Sequence, residues 1–151
     1  MILVVALKDE LKIVPNLVKN AKKVIITGVG GINVWNALKD ESKEQDVVNV
    51  GFVGSNTLPI GTVCYPKEVR LYHPTVEYQE KDLQLEVYKE GNNPICFTST
   101  DFVTNTNIKE PVVFDMELAF IVAMGFRTVK AIKKVSDNLN VCEYERSSNN
   151  G

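Results

Sequence analysis

The strongest constraint on this chain is a recurring pattern. A short apolar run rich in β-branched residues gives way to glycine or polar residues, and often to a stretch with helical spacing. Thr128–Val135, which carries three lysines, reads as a last strand, and Met1–Leu7, Val24–Thr27, Asp46–Gly54, Ile95–Thr98 and Val112–Phe114 are such runs. Their shortness and continuous apolarity are those of strands buried on both faces. Between them, Leu11, Val14, Leu17 and Val18 share one face of an amphipathic stretch that ends at Asn20 and is divided by Pro15. Ile32–Lys43 is helical through Ile32, Trp35 and Leu38, which places Trp35 in the core. Glu117–Gly125 is helical, with Gly125 as its stop, and Asp137–Arg146 forms a short terminal helix. Ile60–Tyr88 is strand-like, His73 falls in a strand or turn, and Gly91-Asn92-Asn93-Pro94 is a turn. This alternation predicts one α/β domain over residues 1–151, with a central mixed, largely parallel sheet flanked by helices.

Composition excludes several functions. The 151 residues carry 17 Lys+Arg against 19 Asp+Glu, a net charge of −2, so no basic surplus exists to grip nucleic acid. No apolar run approaches a membrane span, and the first one lacks the basic lead-in and cleavage site of a signal peptide. Cys64, Cys96 and Cys142 are odd in number and widely spaced. They are expected as inert buried thiols in a reducing, cytoplasmic setting. A single histidine argues against a zinc centre and most nucleophile–histidine triads, so acid–base chemistry falls to carboxylates.

In α/β sheets, ligands gather beyond the carboxyl ends of strands. Lys8-Asp9-Glu10, Thr27–Gly31, Gly51–Ser55, Thr98–Phe102, Asp115-Met116-Glu117 and Ser136-Asp137 fall at such ends and are expected to face one crevice. Three of them also have a plainer explanation. The Gly28-Gly30-Gly31 cluster lacks the spacing of a dinucleotide fingerprint or phosphate loop and suits a tight turn before a helix. Asp115-Met116-Glu117 suits an acidic first helical turn, and Ser136-Asp137 a helix N-cap.

Taken in order, these segments resemble the nucleoside phosphorylase and nucleosidase superfamily, closest to the 5′-methylthioadenosine/S-adenosylhomocysteine nucleosidases in a shortened form. Ala6–Glu10 is similar to that family's first strand and acidic loop, and Thr27–Asn33 to its glycine turn. Asn49–Ser55 with Ile60–Val63 resembles its second glycine segment, and Thr98–Val103 the segment that meets the base. Val113–Glu117 resembles its ribose-binding motif and Val135-Ser136-Asp137 its closing "ISD" motif. The resemblance implies a phosphorylase/hydrolase-like fold that hydrolyses the N-glycosidic bond of a purine nucleoside. Such cleavage needs acid help at the departing purine and carboxylate help where water attacks.

By that similarity Asp137 donates a proton to the base and Glu10 holds the water, with Thr27 as a second partner. Glu117, beside Met116, accepts the ribose hydroxyls; Phe102 stacks on the base, the backbone near Val103 reads its edge, and Ser136 accompanies Asp137. The resemblance also implies a homodimer or higher homo-oligomer, with a small-molecule nucleoside as ligand and no cofactor or metal. The family's phosphorylases carry an arginine where this chain has Asn49, so hydrolysis is preferred over phosphorolysis. Lys133 stands where the nucleosidases have arginine, which keeps the charge and loses the planar fork. The shortened middle and terminal helix, with Tyr144 as the one aromatic there, leave open a catalytically weak relative that binds nucleosides or acts in assembly.

Overall fold

The computed structural model describes residues 1–72 and 83–150. The expected setting of His73 lies outside these residues. The strands β1 (Ile2–Val5), β2 (Lys23–Ile26), β3 (Asp46–Ser55), β4 (Val63–Cys64), β5 (Glu68–Leu71), β6 (Leu83–Gln84), β7 (Cys96–Thr98), β8 (Val113–Asp115) and β9 (Thr128–Asp137) form one nine-stranded sheet. Its path runs β2-β1-β3-β8-β7-β5-β6, while β9 pairs with β3 and β4 off that path. β1 is parallel to β2 and β3, and β3 is parallel to β9. Antiparallel pairings join β3 to β8, β4 to β9 and β5 to β6, so the sheet is mixed as expected.

The continuous apolar runs are explained by cores on both sides of the sheet. Successive strand residues point to opposite faces. Leu3, Val5, Val48, Val50 and Ile132 pack on one face against Leu11, Val14, Leu17 and Val18. Ile2, Val4, Val47, Val53, Ala131 and Val135 pack on the other with Val34, Leu38, Leu118 and Ile121. Each such buried Val, Leu or Ile side chain contributes about 1.5–3 kcal/mol. Pro15 divides the first helical stretch, as expected, into a 3₁₀-helix (Lys8–Ile13) and α1 (Pro15–Asn20).

Two expectations about helices are corrected. In α2 (Gly31–Leu38) the face turned inward is Gly31, Val34 and Leu38, not Ile32, Trp35 and Leu38. Gly31 is the cause: its Cα lies against the Phe120 ring of α3 (Leu118–Ala123), where a β-carbon would meet ring atoms at 3.0 Å. That seating turns Trp35 outward to 58% exposure and Ile32 to 80%. The terminal helix α4 (Val141–Asn150) starts later than Asp137. β9 continues to Asp137 because its partner β3 runs on to Ser55, and Gly54 pairs with Asp137. Asn140 caps α4 by accepting the Glu143 amide at 3.2 Å. Of the cysteines, Cys64 and Cys96 are buried and Cys142, on α4, is exposed.

Candidate active site

The topology leaves a gap beside the longest strand. The pairing of β1 with β3 ends at Asn49, and the pairing of β8 with β3 involves only Gly54 and Ser55. Between them one flank of β3 has no strand among the described residues. The Glu10 side chain reaches into that gap from the 3₁₀-helix: its Oε2 accepts the Phe52 amide at 2.7 Å. Its Oε1 accepts the Ala6 and Leu7 amides, both at 2.9 Å. A cavity of about 250 Å³ opens here, at the small end of ligand sites.

Four further carboxylates, Asp101, Asp115, Glu117 and Asp137, line the same cavity, and two of them, Glu117 and Asp137, accept from distant or neighbouring donors. Glu117 precedes α3 and spends its side chain on a distant amide, that of Gly30 at 2.8 Å from Oε2. Gly30 has φ +91°, a conformation that suits glycine, and this bond joins the glycine turn to the site. Asp137 ends β9. Its Oδ2 accepts the Ser136 hydroxyl and its Oδ1 the Leu139 amide, both at 2.9 Å. Leu139 takes φ +68°, an uncommon conformation for leucine, and lines the cavity. Phe102 and Tyr144 cover the opening with rings 5.7 Å apart and tilted by 57°.

Burial dominates the acidities. It pushes the Glu10 carboxyl up despite the amides that favour its ionised form. Burial, then the like charge of Asp115, raises Glu117 to about 7, with the Gly30 amide opposing. Burial also raises Asp137, against its bonds to Ser136 and Leu139. Tyr144 is raised by burial and then by the facing Glu10, Glu117 and Asp137. A raised carboxyl keeps its proton to higher pH than an ordinary one, the condition for acting as an acid.

Below the cavity, and reaching its lining at Asp115, lies a buried polar network that joins Lys133, Asn49 and Thr98. Lys133 donates to Asn49 Oδ1 at 2.5 Å and to Asp115 Oδ2 at 3.2 Å. Asp115 also accepts the Thr98 hydroxyl at 2.5 Å and the Leu118 amide at 2.8 Å. The start of α3 is therefore held by Asp115, which leaves Glu117 free to face the cavity. The sequence marks Lys133 and Asn49 only by the arginines that the resembling family carries at those positions, and gives no sign that the two residues meet.

Of the residues expected at the site, Glu10, Phe102, Val103, Met116, Glu117, Ser136 and Asp137 line the cavity together. Thr27 does not: its hydroxyl donates to the Gly28 carbonyl at 2.7 Å. Tyr144 and Leu139 join the lining from the chain's last turn and helix. Among the described residues no His, Cys, Asp or Glu side chains are grouped in threes as a metal ion needs, and no helix is long and apolar enough to cross a membrane.

No family model and no curated protein matches the sequence. Solved structures do match the fold. An MTAN of Chlamydia trachomatis, crystallised with an Asp-to-Asn substitution, superposes with a TM-score of 0.76 at 14% identity, over 97% of this chain and 88% of that one. The 5′-methylthioadenosine/S-adenosylhomocysteine nucleosidase of Helicobacter pylori gives 0.75 at 12% identity, over 99% and 90%. A futalosine hydrolase of Helicobacter pylori gives 0.74 at 12%, over 99% and 90%. The chain has the fold of these nucleosidases, the fold that the order of the sequence motifs implied.

Proposed function

We propose that this chain hydrolyses the N-glycosidic bond of a purine nucleoside of the 5′-methylthioadenosine/S-adenosylhomocysteine type. One observation carries the reading: Glu10, Glu117 and Asp137, from separate segments, line one cavity, and burial raises the pKa of each, which makes the protonated form available as an acid and the ionised form a stronger base. Glycoside cleavage needs an acid at the leaving group and a carboxylate for the water. Asp137 protonates the purine as the bond to the sugar breaks. Glu10, fixed by backbone amides, keeps lone pairs for the attacking water and takes up its proton. Glu117 accepts the ribose hydroxyls, and Phe102 with Tyr144 stacks on the base and excludes solvent.

Two facts support hydrolysis of such a nucleoside. The Chlamydia trachomatis MTAN binds 5′-methylthioadenosine and adenine. No Arg or Lys lines the cavity among the described residues, whereas a phosphorylase needs cations for its phosphate. The test is chromatographic detection of free base from 5′-methylthioadenosine, S-adenosylhomocysteine, futalosine and plain purine nucleosides, with and without phosphate. Adenine release without phosphate is expected. Release only with phosphate would make the chain a phosphorylase, and no release from any nucleoside overturns the reading.

A second reading, a nucleoside binder without turnover, is favoured by the engagement of both Glu10 oxygens with the backbone. Tight binding with no free base identifies it. We also propose that the exposed apolar face of Ile26, Val29, Ile32 and Trp35 meets a second copy of the chain, because Val29 joins that face to the cavity mouth. The free thiols suit the reducing cytoplasm we propose for it.

A further inference from the structure

Lys133 is 1% exposed, and its ammonium is absent from the cavity lining, so it meets a substrate only through other residues. Its surroundings form a connected chain of bonds. Asn49 turns its carbonyl to Lys133 and donates its amide to the Val4 carbonyl at 3.0 Å, which fixes the carbonyl's direction. Asp115 takes the ammonium on Oδ2, and the same oxygen accepts the Leu118 amide. Thr98 donates to Asp115 and accepts the Ala119 amide at 3.0 Å. The first turn of α3 thus hangs from Asp115 and Thr98. Glu117 immediately precedes that turn and reaches Gly30 from it.

Buried charges are costly unless paired and fully hydrogen-bonded. Burial alone would lower the Lys133 ammonium's pKa, and Asp115 first, then Cys96, Glu117 and Glu10, more than offset it. Those carboxylates compete for one cation, so its direction matters. A β-carbon on Gly51 would stand 2.7 Å from Glu10 Oε2 and 3.4 Å from Lys133 Nζ, which puts the two groups beside the same Cα. The Asn49 carbonyl and Asp115 hold the ammonium where Glu10 is not its hydrogen-bond partner.

We infer that Lys133, anchored by Asn49, is a positioning residue: through Asp115 and the first turn of α3 it sets the carboxylate of Glu117 against Gly30 to receive the ribose. The inference rests on the ribose-side role given to Glu117 above. Lysine serves here because it is a compact cation with three donors, which suits a carbonyl and a carboxylate placed separately.

The test compares Lys133→Met, Lys133→Arg and Asn49→Leu with the unaltered chain in two ways. The first is amide hydrogen exchange by NMR at Gly30 and Leu118, with Val48 and Val129 of the β3–β9 ladder as controls. Lys133→Met and Asn49→Leu should speed exchange at Gly30 and Leu118 by about tenfold, the factor carried by one hydrogen bond to a charged group, and leave the controls unchanged. Lys133→Arg should restore most of the protection.

The second readout is the ratio of kcat/KM for a nucleoside to that for its 2′,3′-dideoxy analogue. That ratio should fall by about tenfold in Lys133→Met, since a misplaced Glu117 no longer distinguishes the hydroxyls. Equal acceleration of all amides, unchanged Gly30 exchange, or failure of both Lys133→Met and Asn49→Leu to fold would overturn the inference in favour of general support. If the unaltered chain releases no base, the enzymatic reading fails, while the exchange pattern still decides the positioning role.

Discussion

Glu10 and Gly51 fit against each other so closely that no side chain can stand between them. A β-carbon at position 51 would lie 2.7 Å from Glu10 Oε2, well inside van der Waals contact. The strand gives up a side chain there so that a carboxylate can enter the gap beside β3.

Gly51→Ala should therefore displace Glu10 while the chain still folds. Turnover should drop about tenfold or more, because the carboxylate proposed to hold the water is moved from its position. Stability should fall by about 1–3 kcal/mol, as for other overpacked sites. Steady-state kinetics with urea denaturation checks both, and full turnover beside a loss of stability would remove Glu10 from the chemistry.

Asp137→Asn keeps the shape of the side chain and removes the acidic proton. Base release should fall by about 10²- to 10⁴-fold, the usual contribution of a general acid. Calorimetry should find nucleoside affinity within a few-fold of the unaltered chain. Retained turnover would place the acid elsewhere.

Glu117 gives a pH signature. Its carboxyl is held at about 7 in the fold, against 4.5 in the absence of that environment. Between those values the folded chain holds a proton that the unfolded chain has lost. Stability is then fully present below about 4.5, declines as pH rises towards 7, and levels off above. The raised Glu10 and Asp137 act in the same direction. Thermal denaturation from pH 5 to 8 should show this slope and show it reduced in Glu117→Gln; an unchanged slope in the variant would assign it to other groups.

Trp35 tests self-association. Sedimentation should find the unaltered chain larger than one copy, and Trp35→Glu should shift it towards one copy, because a charge in an apolar contact is left unpaired. A single copy without the substitution contradicts the proposed contact.

The contrast between Asp137 and Lys133 explains what was legible in the sequence. β1 and β3 are visible because strands buried on both faces must be largely apolar, and β9 by its place in the alternation of strands and helices despite its three lysines. Asp137 and Glu117 are visible because they end or follow such strands in a recognisable order. Lys133 draws its meaning from Asn49 and Asp115, each on another strand, and only the assembled sheet brings them together. Trp35 was misplaced for a related reason. Residues 31, 34, 38 and residues 32, 35, 38 are both stripes of one helix, and the choice between them is made by Phe120, far along the chain. Thr27 sits at the expected strand end, yet nearby carbonyls capture its hydroxyl, a local competition that spacing does not reveal.

The pairing of β3 with β9 slips by one residue between Val53 and Gly54, so that Val53 faces Val135 while Gly54 faces Asp137. Neighbouring side chains on a regular strand point apart. Here Ser136 and Asp137 both reach the cavity and bond to each other. A chain one residue shorter at this point would make the more regular ladder and could offer the cavity a hydroxyl or a carboxyl, but not the pair. The length of this segment is thus constrained as tightly as the identity of its residues: insertions and deletions here should be purged even where the sheet itself would gain from them.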